Sequence, residues 1–243
     1  MPDEIEQTPS GGQVIRHRDR NREFELAIGD SETIAAIGRH LLQFVGSPGL
    51  VWHEIVSDLV HVDVHTVAPT PQRNYHTLVT SGMSDRPMKV PTDFDDYRFA
   101  ELALCLPPDW PMDTESFKDE RNYWPVRLLK SLARLPHKYD TWLFASHSVP
   151  NGDPPKPYAA NTRMCCTLLA RPVLFDEAFA TLRSSDEKVI HFLSVLPVYR
   201  EEMDFKLSRG ADSLFELLGR ADVSELLNLN RTNVCRRKRF GWF

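Results

Sequence analysis

The sequence predicts an α+β fold in which a mixed, largely antiparallel β-sheet is flanked by α-helices. Three observations favour it: segments with the period-two alternation of strands, segments with helical spacing, and the lack of a steady β-α-β rhythm between them. No internal repeat and no linker divides the 243 residues, so one folded domain is expected.

The first half of the chain supplies a helix and three strands. Ser31 is suited to be the N-cap of a helix that runs to about Val45, since apolar residues follow on one stripe and a Gly-Ser-Pro-Gly stop ends it. Residues 60–67 alternate apolar and polar side chains, as a half-buried strand does, and residues 75–80 are suited to be its antiparallel return. Residues 98–106 are more apolar, which predicts a central strand.

The second half predicts a longer helix, more strands and two short helices. Tyr123 to Leu135 has helical spacing, with Pro125 tolerated in the first turn. The proline-rich residues 148–161 predict an extended loop. Strand-like segments lie at 141–146, 164–170 and 189–196, and helical stretches lie at 201–207 and 212–218.

The two ends of the chain are expected to lie outside the domain, which we predict to span residues 24–221. Residues 1–23 are polar and charged with almost no apolar periodicity, which predicts a flexible leader and no secretory signal. Residues 222–243 are rich in Asn, Arg and Lys, which predicts a basic, loosely ordered tail.

Charge and composition limit the class of protein. A net charge of −5 makes nucleic acid an unlikely partner, although residues 236–239 form a basic run. No apolar stretch approaches the length of a membrane span, so a cytoplasmic location is expected. The four cysteines have no CxxC spacing, which predicts reduced and mostly buried thiols.

The sharpest polar constellation is His61-x-Asp63-x-His65. On a strand these side chains project from one face about 7 Å apart, and imidazole and carboxylate groups are ligands for zinc or iron. The favoured interpretation is a solvent-facing polar stripe opposite the neighbouring valines. A polar binding surface is the second interpretation, and a metal site is a minor alternative. Further histidines that the fold could bring to the group are His53, His76 and His147.

No catalytic residue and no cofactor is predicted. The sequence lacks an HExxH helix motif, a phosphate-binding glycine loop, a dinucleotide fingerprint and a GxSxG elbow. Trp110 and Tyr158 lie in or beside proline-bounded loops, which makes them candidate contacts for a protein partner.

Several ordered motifs resemble the suppressor-of-fused domain family. They are the run from His61 to Thr70, Tyr75-x-Thr77 through Asp85, Leu106-Pro107-Pro108-x-Trp110-Pro111, Trp124-Pro125 with its leucines, Trp142-x-x-x-x-His147, and Phe192 through Tyr199. The resemblance covers roughly residues 30–220, and the sequence is similar to the smaller, single-domain bacterial branch of the family.

The resemblance implies a mixed sheet with flanking helices and a role in binding another protein. In animals the founding member holds a transcription factor in the cytoplasm, partly by strand addition, and some bacterial members are proposed to neutralise toxins of polymorphic toxin systems. Three hypotheses follow. The first is a non-catalytic protein-binding domain, with an immunity protein as its narrower form. The second is a metal-dependent enzyme using the His/Asp cluster, and the third is a regulatory protein that binds a partner tail by strand addition. The sequence predicts neither the partner nor the oligomeric state.

Overall fold

An eight-stranded β-sheet runs through the computed structural model, which describes residues 4–18, 22–185 and 187–236. The strands of the protein are β1 Glu4–Gln7, β2 Gln13–Arg16, β3 Pro48–Trp52, β4 Asp63–Val67, β5 His76–Ser81, β6 Phe99–Leu106, β7 Ser148–Pro150, β8 Cys166–Ala170, β9 Thr181–Arg183 and β10 Val189–Val198. The helices are α1 Ser31–Phe44, α2 Glu120–Tyr139, α3 Arg200–Arg209 and α4 Ala211–Arg220.

The order of the strands confirms the predicted α+β fold with a mixed, largely antiparallel sheet. The order is β3-β4-β5-β6-β10-β8-β7, and β9 pairs with β10. Strands β6 and β10 run parallel, whereas the other recorded pairs are antiparallel. Strands β1 and β2 form a separate antiparallel hairpin.

Helices cover both faces of the sheet at its centre. Trp124 and Leu129 of α2 pack with Leu102 and Leu104 of β6 in the largest apolar cluster. Ile37 of α1 packs in a second cluster on the opposite face. Because both faces are covered, β6 is buried from its second residue to its last, as its apolar sequence predicted.

Helix α1 shows why the helices begin where they do. The N-cap is Asp30 rather than the predicted Ser31, and its side chain accepts a hydrogen bond from the Glu32 N–H at 3.0 Å. It thereby satisfies one of the free amide groups at the helix N-terminus.

In the described part of the chain, no helix has the length and apolar character that a membrane span requires.

The predicted strand at 141–146 is wrong, and a neighbouring strand takes its place. Thr141 N–H is bound at 2.9 Å by the carbonyl of Pro136, at the end of α2, and Ser146 has a positive φ of 73°. These residues therefore turn away from the helix, and the extended segment is β7, inside the predicted proline loop.

The two ends of the chain carry more structure than their polar composition indicated. Residues 4–16, in the predicted leader, contain the β1-β2 hairpin. In the predicted tail, Leu226 forms a parallel bridge with Cys105 of β6, and Leu227 is buried. The basic run begins at Arg236, and its remaining residues, from 237 onward, lie outside the described part of the chain, so its predicted role stays a prediction.

The cysteine prediction is confirmed for the whole set. Cys105, Cys165 and Cys166 are buried free thiols, and Cys235 is half-buried.

Candidate functional site

Three side chains at the β3 end of the sheet form a polar group that we call the Asp63 cluster: His53, His61 and Asp63. His53 follows β3, and Asp63 begins β4, so pairing of these two strands brings them together. His53 Nδ1 lies 2.8 Å from Asp63 Oδ2, and His61 Nε2 lies 3.2 Å from Asp63 Oδ1. Asp63 is buried, whereas the side chain of His53 is 68% exposed, so the cluster opens to solvent on one side.

The loop between β3 and β4 supports the cluster from behind. Ser57 Oγ lies 2.9 Å from His61 Nδ1 and donates to Glu54 Oε2 at 2.6 Å. Glu54 in turn forms an ion pair with Arg134 of α2. A chain of polar contacts therefore links the cluster to a helix.

His65 lies outside this cluster, which corrects the predicted set. Its Nε2 lies 2.8 Å from Ser81 Oγ, and the residue is 5% exposed. Burial lowers the pKa of His65, although the nearby Asp63 carboxylate raises it. The imidazole is therefore engaged within the sheet.

The favoured interpretation as a solvent-facing stripe is also wrong. Asp63 and His65 are as buried as Val62 and Val64 on the opposite face. His65 pairs across the sheet with Val79, which packs in the same cluster as Ile37 of α1. Since helices cover both faces, alternation of residue types does not mark an exposed face here.

The other candidate histidines do not join the cluster. His76 Nε2 contacts the carbonyl of Pro108 at 3.2 Å. His147 packs edge-on against Trp142, with ring centroids 4.7 Å apart, and burial lowers its pKa to about 4. Of the three further histidines, His53 is the one that the fold brings into the Asp63 cluster.

A tight turn joins the Asp63 cluster to a buried carboxyl group. Gly82 has a φ of 100°, and a Cβ built on it would lie 1.8 Å from the carbonyl oxygen of His61. Beyond the turn, Glu101 is fully buried and accepts from Thr80 Oγ1 at 2.5 Å and Ser84 Oγ at 2.6 Å. Burial raises the pKa of Glu101 to about 7, against these hydrogen bonds, which lower it.

The two predicted aromatic contacts lie in or against the core. Tyr158 is 5% exposed, stacks on Trp124 with centroids 5.2 Å apart, and its hydroxyl bonds Thr167. Trp110 is half-buried and donates its Nε1–H to the carbonyl of Asn122 at 3.0 Å. This placement does not favour either residue as an anchor for a partner, and their binding role stays a prediction.

An exposed apolar surface lies beside the Asp63 cluster, and we call its five residues the apolar strip. Residues 25–27 pair with 57–59 through hydrogen bonds from Ala27 N–H to Ser57 and from Leu59 N–H to Glu25, of 3.1 and 3.0 Å. The strip consists of Phe24 at 61% exposure, Leu26 at 64%, Ile28 at 86%, Ile55 at 100% and Val56 at 68%. The sequence signal was the alternation Phe-x-Leu-x-Ile just after the predicted leader.

These features define a helix-flanked, mixed-sheet domain with a polar cluster and an apolar strip at one end of its sheet. A family model described as Suppressor of fused protein (SUFU) matches residues 58–232, more than half of the chain. The chain therefore belongs to the suppressor of fused family. The match extends beyond residue 221, into the segment predicted as a tail.

Solved structures share the fold at low sequence identity. The putative SUFU homolog from Neisseria gonorrhoeae FA 1090 superposes with a TM-score of 0.65 and 14% identity, over 86% of this chain and 100% of that one. A chain of the Sufu-Fu complex crystal structure gives a TM-score of 0.59 and 15% identity, over 83% of this chain and 92% of that one. Drosophila Suppressor of Fused gives 0.55 and 14%, over 83% of this chain but 50% of that one. No curated protein sequence matches the chain.

Proposed function

We propose that this chain is a non-catalytic protein-binding domain and that its partner contacts the apolar strip. The observation that carries the proposal is the exposure of five large apolar side chains on two paired segments. A soluble domain rarely leaves neighbouring apolar side chains in water unless another surface covers them. A related structure has been solved as a Sufu-Fu complex, which supports protein binding as the role of this fold.

The charge of the chain favours a basic partner. The net charge is −5, and Asp58 lies opposite Leu26 of the strip. Opposite charge speeds the encounter of two proteins and aligns them before apolar contacts form. We propose a toxin of a polymorphic toxin system as the partner, bound in a bacterial cytoplasm with the chain acting as its immunity protein.

A photo-reactive residue in place of Leu26 tests the binding face. Illumination in the native host should crosslink one recurring protein, which is then purified and titrated against the wild-type chain. The matched control carries the same residue at Leu42, which is 60% exposed on α1. The proposal fails if position 42 captures the same protein as efficiently, or if Leu26→Ser with Ile55→Ser leaves the affinity unchanged.

The toxin assignment has its own test. Expression of the captured protein alone should stop growth, and co-expression of the wild-type chain should restore it. The Leu26→Ser, Ile55→Ser variant should restore growth poorly. If the captured protein is not toxic, the proposed protein-binding role stands and the proposed immunity role is wrong.

Strand addition at β3 is a second candidate mode of binding. Among the described strands, β3 stands at one end of the sheet order and pairs with β4 alone, and Leu50 is half-exposed. An extended peptide could continue the sheet there through main-chain hydrogen bonds. A proline in β3 at a position whose N–H points away from β4 removes a donor that an added strand would use. It should weaken the captured complex if the partner adds a strand and leave it intact otherwise.

A further inference from the structure

We propose that His53, His61 and Asp63 hold one divalent transition-metal ion of the zinc class. Each residue offers one ligand atom, and these atoms lie within 4.8 Å of one another. Two imidazole nitrogens and a carboxylate oxygen are a ligand set that zinc accepts, with bonds of about 2.0–2.2 Å. The proposal does not depend on the apolar strip or on the partner.

The positions of the hydrogen atoms give an independent reason. The carboxylate of Glu54, paired with Arg134, also accepts from Val62 N–H. A carboxylate can only accept, so the single hydroxyl hydrogen of Ser57 goes to Glu54. The oxygen of Ser57 must then accept the hydrogen on His61 Nδ1, at 2.9 Å.

This assignment leaves an acceptor facing an acceptor. In the neutral tautomer of His61, Nε2 carries a lone pair, and it faces Asp63 Oδ1 at 3.2 Å. Two such atoms repel unless a cation lies between them. Either a second proton on the imidazole or a metal ion can fill this place, and a metal ion would also engage Nδ1 of His53, 2.8 Å from the other oxygen of Asp63.

The surroundings favour the metal ion. Metal-bound histidines commonly have their second ring nitrogen held by a hydrogen-bonded partner, which fixes the tautomer. Ser57 and Glu54 do this for His61. The ammonium group of Lys130 binds the main-chain carbonyl of His53 at 3.2 Å rather than one of the three ligand atoms. Because the side chain of His53 is 68% exposed, an ion can reach the cluster from solvent on that side.

Titration of the purified, tag-free chain with Co²⁺ tests the proposal. We expect one Co²⁺ per chain with the visible absorption of a low-coordinate site, displacement by Zn²⁺, and a rise in Tm with Zn²⁺. His53→Ala and His61→Ala should each lower the affinity at least about tenfold, and Ser57→Ala, a positioning change, by about tenfold. The matched control is His76→Ala, which should bind as the wild type does.

The outcomes separate the metal ion from the proton. The proposal is overturned if the wild-type chain binds no stoichiometric Co²⁺, which would leave His61 as an imidazolium paired with Asp63. It is also overturned if His53→Ala keeps the affinity. The side chain of His53 is 68% exposed, so we expect this variant to fold as the wild type does. Circular dichroism of each variant verifies the fold. A protein partner is absent from this experiment, so its result is independent of the proposed function.

Discussion

Two fully buried glutamates, Glu101 and Glu202, are accommodated in different ways. Glu101 accepts hydrogen bonds from two hydroxyl groups and from the Ser84 N–H, and no basic side chain of the described residues binds it. Glu202 forms an ion pair with Arg231, with an N–O distance of 2.6 Å and 7% exposure of the arginine side chain. Both residues are 0% exposed.

The stability of the two regions therefore depends on different factors, which are pH for Glu101 and residues distant in sequence for Glu202. Burial without a cation raises the pKa of Glu101, so its region responds to pH. The Glu202 region depends instead on residues far along the chain, because Arg231 also donates to the Pro197 carbonyl and lies over the Tyr199 ring at 4.7 Å. The same pair fixes the segment that was expected to be a loose tail.

The largest effect is expected when the ion pair is broken. Arg231→Ala leaves Glu202 buried without its cation, which should lower the free energy of unfolding by about 3–5 kcal/mol. Urea denaturation measures it. The control is Arg220→Ala, which removes an exposed i,i+4 pair with Glu216 and should cost about 0.5 kcal/mol or less. Equal losses in the two variants would show that burial does not strengthen this dependence.

The turn beside Glu101 should be nearly as sensitive to a single methyl group. Gly82→Ala places a Cβ against the carbonyl oxygen of His61 at a positive φ, which should cost about 2–4 kcal/mol. Gly38→Ala is the matched control, because its added Cβ meets nothing within 4 Å in helix α1. That change should stabilise the chain by up to about 1 kcal/mol. Thermal unfolding of the pair would contradict this account if both changes acted in the same direction.

The pH response separates the two glutamates further. The pKa of Glu101 rises from 4.5 to about 7 on folding, so the folded state holds its proton more tightly than the unfolded state does. Its stabilising contribution is therefore complete below about pH 4.5 and is lost as the pH rises through about 7. Relative to Glu101→Gln, the wild-type chain should lose up to about 3 kcal/mol between about pH 5 and pH 8.

Chemical denaturation of both proteins at several pH values measures this difference. Using the difference cancels the other titrating groups, which the two chains share. Parallel stability curves for the wild-type chain and Glu101→Gln would contradict the raised pKa.

The smallest effect is expected from one hydroxyl group. Ser84→Ala removes the 2.6 Å hydrogen bond to Glu101 but keeps the main-chain one at 2.9 Å, and should cost about 1–2 kcal/mol at neutral pH. Since that bond favours the carboxylate, its loss should also raise the pKa of Glu101. The cost should therefore shrink as the pH falls, and a cost that stays constant with pH would argue against it.

Strands and helices whose side chains repeat with one regular period were predicted well from the sequence. The alternation at 60–67 and the helical spacing near Leu128 gave β4 and α2, because side-chain periodicity reports local geometry. Strand β3 was missed, since Pro48 and Gly49 are typical of turns and this edge strand has an irregular register beside them. The short β7 contains Pro150, which also argues against a strand.

The candidate site was predicted in part. The motif at His61 and Asp63 supplied two members of the cluster, but His53 comes from another strand end, and spacing along one strand cannot reveal it. His65 was wrongly grouped with them. Helices that pack on both faces of the sheet bury its side chain, and the periodicity of one strand does not report that packing. The tail was misjudged for a similar reason: Arg231 is buried because Glu202 is there to receive it.

The bridge between Leu226 and Cys105 has a consequence for the order in which the molecule can assemble. Strand β6 is flanked by β5, by β10 and, past the point where β10 leaves it, by residues 225–227, bound through Cys105 N–H at 2.9 Å and its carbonyl at 2.8 Å. The central strand thus acquires its last neighbours from segments made long after it. A growing polypeptide cannot finish this sheet until residues 225–227 have been synthesised, and contacts this distant in sequence make folding slow.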